Sequence, residues 1–231
     1  MRDSAGSFRI SPVPSRIAVL ASGGLDSSVL LATLARRKRH VFPMYVRAGL
    51  RWEAEELLAL RKFVKTLHGF RIAALEILDL PMADVAANHW SVTGRGVPGY
   101  RAATSSNYIV GRNLSLLVKA AVFCAHHRIG EIAMAPLGAN PFPDARPQFF
   151  RAVERAIELG IGLPIKIRVP FVGLSKAQVI RRGRDLALGF TLSCARPRGL
   201  VHCGACTKCA ERITAFRAAG VVDPTRYRAA R

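Results

Sequence analysis

The chain has 231 residues, half of them hydrophobic and 22% charged, which suits one α/β domain with a buried core and excludes global disorder. Its net charge is +20, from 35 Lys and Arg against 15 Asp and Glu; such a field attracts nucleic acid and nucleotides, although the skew to 28 Arg also follows from composition bias alone. No apolar run reaches the roughly 18 residues of a membrane span, and residues 1–15 lack a signal peptide's apolar stretch, so they read as a flexible leader and the protein as cytoplasmic.

In chain order, an apolar β-type run at 16–21 leads into Ser22-Gly23-Gly24-Leu25-Asp26-Ser27 and a helix at 26–38. Strand, glycine turn and helix start together make a phosphate cradle: glycine lets the backbone approach the anion, and the helix N-terminus adds partial positive charge. Asp26 and Ser27 are placed to cap that helix. The same residues would serve a plain strand-to-helix turn; GxxxxGK[ST] and GxGxxG are both absent. The helix ends in the basic run Arg36-Arg37-Lys38-Arg39, which lacks interleaved aromatics for stacking on bases.

A strand follows at 40–46, with Pro43 demanding a bend or an unpaired position. A helix at 51–68 and a strand at 71–79 precede a loop at 88–112, long enough to suggest function. Next come a helix at 113–128 with Asn113 as its cap, a strand at 130–136 and a Pro-rich loop at 138–147. A helix at 147–160, a strand at 164–169 and a helix at 175–188 complete the alternation. Alternating strands and helices predict a parallel sheet with helices on both faces and a ligand site beyond the carboxyl ends of its strands.

Four of five cysteines crowd the end as C-x8-C-x2-C-x2-C: Cys194, Cys203, Cys206 and Cys209. Four thiolates at this spacing suit tetrahedral Zn²⁺ in a closed structural site; an iron–sulfur cluster or disulfides are the alternatives. A metal would fold residues 191–231, a segment too short to hold itself. His202 is a spare ligand candidate, and Cys124 a buried small hydrophobe.

The SGGLDS stretch resembles the PP-loop of the ATP pyrophosphatase superfamily. With Tyr108–Leu114, with Phe142-Pro143-Asp144-Ala145-Arg146-Pro147-Gln148-Phe149, and with a tail from Thr191 to Tyr227, it resembles the 7-cyano-7-deazaguanine synthase family over residues 17–227, as a divergent member. That resemblance implies a Rossmann-like fold of the adenine nucleotide α-hydrolase type over 16–190, with a C-terminal zinc-bound segment at 191–231. It implies an ATP-dependent ligase converting 7-carboxy-7-deazaguanine and ammonia to the 7-cyano base, a queuosine-type precursor, through adenylylated carboxylate and amide, with Mg²⁺ on the phosphates and a homodimer as the assembly. ATP contacts are implied for Ala21, Ser22, Gly23, Gly24, Leu25, Asp26, Ser27, Ser28, Gly111, Arg112 and Asn113. Catalytic roles are implied for Asp26, Arg112, Asp144 and Arg146, and metal ligation for the four cysteines.

The chain departs from the family where an acidic-aromatic-glycine stretch becomes Tyr45-Val46-Arg47-Ala48-Gly49-Leu50-Arg51-Trp52-Glu53, and at Pro136–Pro141, Ala145 and Gln148. Arg47 and Arg51 would add charge to the nucleotide pocket and favour a more anionic ligand. Two other readings stay open: a divergent PP-loop ligase acting on another acceptor, as in a defence system, or a tRNA-thiolating enzyme, for which the positive charge would suit RNA.

Overall fold

A computed structural model describes residues 16–37 and 39–228. The expected leader at 1–15, and Lys38 of the basic run, lie outside the described residues. Five parallel strands, β1 (Arg16–Leu20), β2 (His40–Arg47), β3 (Glu76–Asp79), β4 (Glu131–Ala133) and β5 (Lys166–Arg168), form one sheet in the order β3-β2-β1-β4-β5. The direction of strand addition reverses between β1 and β4, which opens a crevice at their carboxyl ends.

The central strand is apolar on both faces, so helices must cover both. Ile17, Val19 and Ala21 pack under α1 (Leu25–Arg36), α2 (Glu53–Lys65), α6 (Lys176–Arg182) and α7 (Thr207–Ala219). Ala18 and Leu20 face α4 (Arg112–His126) and α5 (Pro147–Ile161). Cys124 is fully buried in that second layer, and burial pushes its thiol up to about 12. The long loop holds a single-turn helix, α3 (Trp90–Thr93), and a 3₁₀ turn at Thr104–Asn107.

Pro43 stays within β2 in register with Val19. Val41 directs its N–H and C=O to Arg71 and Ala73, and Pro43, two residues on, faces the same side. Its missing donor falls between the Val41–Ile72 bridge and the start of β3 pairing at Met44–Glu76. The strand expected at 71–79 therefore pairs regularly only from Glu76. The helix expected to reach 188 ends at Arg182, where Gly183 lies so close to α1 that a Cβ would meet Val29 Cγ2 at 2.6 Å.

The span Thr104–His126 is long and apolar enough by composition to cross a membrane, contrary to the expectation from uninterrupted apolar runs. Gly111, left-handed at φ 68°, separates α4 from the preceding turn, and α4 buries Leu117, Ala120, Ala121 and Cys124 in the fold. Within the basic run, Arg36 is ion-paired with Asp185 and Arg39 with Glu131, so neither cation is free for a polyanion.

Candidate active site

A cleft of about 260 Å³ opens at the carboxyl ends of β1, β2 and β4. Its floor is the turn from β1 into α1. Gly23 adopts φ 74°, and a Cβ there would overlap the Glu56 carbonyl oxygen, so the turn presses against α2 where only glycine fits. The Ser22 N–H donates to Ser27 Oγ at 3.2 Å, and the Gly24 N–H to Ser22 Oγ at 3.2 Å. The serine hydroxyls thus organise the loop around the amides of the α1 N-terminus, a ready anion site.

Neither Asp26 nor Ser27 caps α1, contrary to expectation: Gly24 is the N-cap without a side-chain bond. Ser27 Oγ donates to the Gly24 carbonyl, and Asp26 Oδ2 pairs with Lys176 Nζ at 3.1 Å. Asp26 Oδ1 is buried with no partner among the described residues.

A second wall comes from the tail. Leu192 donates its N–H to the Gly23 carbonyl at 2.8 Å, which seats Leu192, Ser193, Cys194 and Ala195 in the cleft lining beside the loop. Behind them the four cysteine sulfurs lie within 4.8 Å of one another, all buried, with Cys206–Cys209 at 3.5 Å and Cys203–Cys209 at 3.8 Å. Zn–S bonds near 2.3 Å put tetrahedral ligands about 3.8 Å apart, so the donor set and spacing fit one ion. No pair is bonded as a disulfide. The N–H groups of Arg196 and Cys203 donate to Cys194 Sγ, and that of Ala205 to Cys203 Sγ. These bonds suit thiolates. His202 is no ligand: its Nε2 accepts the Ser193 N–H at 3.0 Å, and burial holds the ring neutral, down to about 4.

Arg212 locks this wall and was no site candidate in the sequence. Only 1% exposed, it donates to Thr191 Oγ1, Ser193 Oγ, Thr225 Oγ1 and the Leu188 carbonyl. The long loop is pinned to the same wall. Thr207 donates its N–H and Oγ1–H to the Pro98 carbonyl, and Asn107 Nδ2 donates to Glu211 Oε1 at 3.1 Å.

Three cations enter the cleft: Arg112 from α4, Lys176 from α6 and Lys208 from α7. The backbone N–H of Arg112 donates to the Ile109 carbonyl, while its guanidinium has no hydrogen bond or ion pair among the described residues. Burial works against the Lys176 ammonium, but Asp26 and Glu211 more than offset it and hold the group above its ordinary value. Burial also lowers Lys208, partly opposed by Glu211. At the β2 side, Glu56 accepts from Tyr45 Oη at 2.7 Å and Trp52 Nε1 at 3.1 Å. Burial raises its carboxyl to about 7, against the pull of Arg112 and of these two bonds.

Of the residues expected to contact ATP, Ala21, Ser22, Gly24, Leu25, Asp26, Ser27, Arg112 and Asn113 line the cleft, while Gly23 and Ser28 are buried and Gly111 is half-buried outside its lining. Asn113 is not the cap of α4; Gly111 holds that position, and the Asn113 N–H donates to Asp144 Oδ2 at 3.1 Å. Asp144 is buried outside the cleft lining, with Oδ1 unpartnered, and Arg146 is exposed. Arg47 and Arg51 do not charge the pocket. Arg47 pairs with Asp79 at 2.7 Å, Arg51 lies against Gly94, and the segment turns Ala48, Leu50, Trp52 and Glu56 inward instead. Lys176, Lys208 and Glu56 were missed. For Lys176 a signal existed: the Ser175/Gln178 capping box fixes a helix start beside it, at the carboxyl end of the sheet.

The chain is similar to 7-cyano-7-deazaguanine synthases almost end to end. The protein of that name from Azoarcus sp. (strain BH72) is 34% identical over 229 residues, covering 93% of this chain and 97% of the relative. That from Acetivibrio thermocellus is 30% identical over 226 residues, covering 92% and 97%. Among solved structures, a 4-thiouridine synthetase–RNA complex with bound ATP shares the fold at TM-score 0.51 and 12% identity, over 92% of this chain and 47% of that one. The family model described as "Queuosine biosynthesis protein QueC" matches residues 16–220, and with the relatives it shows that the chain belongs to the QueC family.

Proposed function

We propose that this chain forms 7-cyano-7-deazaguanine from 7-carboxy-7-deazaguanine and ammonia, consuming two ATP. The observation that carries this is the cleft itself: a phosphate-holding loop together with three cations, of which the Arg112 guanidinium has no ion pair among the described residues, in a chain whose relatives of that name match it almost end to end. A carboxylate oxygen attacks the α-phosphorus of ATP, releasing pyrophosphate. Ammonia adds to the acyl-adenylate and expels AMP and a proton, leaving the amide. The amide oxygen then attacks the α-phosphorus of a second ATP, releasing a second pyrophosphate; loss of the two remaining N–H protons and cleavage of the C–O bond give the nitrile and AMP.

The loop amides, the α1 N-terminus, Ser22 and Ser27 hold the departing pyrophosphate, while Arg112 takes the oxyanion at the reacting carbon. The unpartnered Asp26 Oδ1 is the oxygen that would meet Mg²⁺, which supplies charge neutralisation when bound. Asp144 is assigned a positioning role, since its Oδ2 and carbonyl hold Asn113 in the cleft lining, and Arg146, exposed two residues on, is assigned to the substrate side of the same turn. Zinc in the cysteine cluster is the metal the donor set supports. Residues 16–190 form the ATP domain and 191–231 the metal-bound segment. The protein works in the cytoplasm, where thiols stay reduced. A stripe of exposed Leu114, Val118 and Val122 along α4 supports a homodimer.

Purified protein with Mg²⁺-ATP, ammonium and the carboxylate should release pyrophosphate and yield amide, then nitrile, by mass spectrometry, with Asp26→Ala at least a hundredfold slower. ATP-binding, metal-loaded protein that leaves the carboxylate untouched would overturn the proposal.

A further inference from the structure

We propose that Lys208 holds the acceptor's carboxylate in the first of the two rounds, so that the metal-bound tail supplies a substrate-binding side chain as well as a wall. This rests on the reaction proposed above. Lys208 lies between two cysteines of the cluster, Cys206 and Cys209, in the first turn of α7. A cation there opposes the helix dipole, and that turn carries no acidic residue. A locally unfavourable charge that faces a cleft is a mark of function rather than of folding.

Its backbone is fixed on both sides: Thr207 donates twice to the Pro98 carbonyl, and Cys206 and Cys209 converge on the cluster. Its charge is poorly answered. Glu211 Oε2 stands 3.8 Å from Lys208 Nζ, beyond hydrogen-bond distance, and the same carboxylate serves Lys176 at 3.9 Å and Asn107 at 3.1 Å. Asp26 is taken by Lys176 at 3.1 Å. With the loop amides given to pyrophosphate and Lys176 paired with Asp26, Arg112 and Lys208 are the lining cations left for a second anion in the same cleft. In the proposed reaction that anion is the carboxylate of round one. The acceptor of round two is a neutral amide, which gains far less from an ammonium group.

The test is to start the enzyme separately from each acceptor. Lys208→Gln should raise KM for the carboxylate roughly ten- to hundredfold, the range of one charge-assisted hydrogen bond. KM for the amide, ATP affinity and bound metal should stay within about twofold, and Lys208→Arg should restore most of the carboxylate KM. Equal losses for both acceptors, no loss for either, or an Arg variant as weak as the Gln variant would overturn the assignment. Wild-type protein inert toward both acceptors would overturn the parent reaction instead. Calorimetric binding of the carboxylate to wild type and Lys208→Gln then judges Lys208 by itself: tighter wild-type binding supports the site, and equal binding removes it.

Discussion

The two walls of the cleft are built by different physics. The loop wall is local: within Ser22–Ser28, two glycines and two serines shape the backbone, and the anion site follows from the helix that starts there. The tail wall is not local. Cys194 meets Cys203, Cys206 and Cys209 across a reversal of chain, and Arg212 reaches back to Leu188 and Thr191 and forward to Thr225. The first wall is set by conformation; the second depends on four converging cysteine sulfurs and buried hydrogen bonds between distant residues. Weakening the two should therefore fail in different ways.

Removing the metal, by chelation or by Cys206→Ser, should have the largest effect. Structural zinc contributes about 10 kcal/mol or more to small sites, so the tail should unfold and ATP affinity fall with it. Metal analysis with hydrogen exchange over 191–228 checks this; full protection in metal-free protein would make the tail self-sufficient. Arg212→Met should cost about 3–5 kcal/mol, since it strands several buried acceptors, and chemical denaturation would measure it. Unlike metal loss, it should leave the cysteine sulfurs able to bind metal, measured by titration.

On the loop wall, Gly23→Ala places a Cβ against the Glu56 carbonyl at a left-handed φ and should cost about 2–4 kcal/mol, with ATP binding lost while metal content is unchanged. The smallest effect is expected at Glu56, between the walls. Its carboxyl is raised from the usual 4.5 to about 7 in the fold, amid Tyr45, Trp52, Glu53 and Arg112. The folded state therefore binds the proton more tightly, so this stability is fully present below about pH 4.5 and lost as pH rises through about 7. Glu56→Gln should flatten a fall of about 1–3 kcal/mol across that window in denaturation midpoints. An unchanged pH profile would show that Glu56 is not the group responsible.

The loop and the cysteine spacing were legible because each is a short run whose chemistry needs no distant partner. The alternation of strands and helices likewise fixed a parallel sheet, as apolar runs at 16–21, 40–46 and 130–136 must be covered on both faces. Ends of elements were less legible. The short β3 followed from which way Pro43 faces, and the early end of α6 from how closely Gly183 meets α1.

What the sequence by itself determined, then, was the fold class, the phosphate loop and a four-cysteine cluster. Only the tertiary structure decided which charges face the cleft. Arg47 and Arg51 read as pocket residues yet turn to Asp79 and Gly94, while Lys176, Lys208 and Glu56 arrive from three separate helices. The direction of a side chain depends on the register and packing of its element against partners far along the chain, whereas the backbone chemistry of a glycine turn is set by its immediate neighbours.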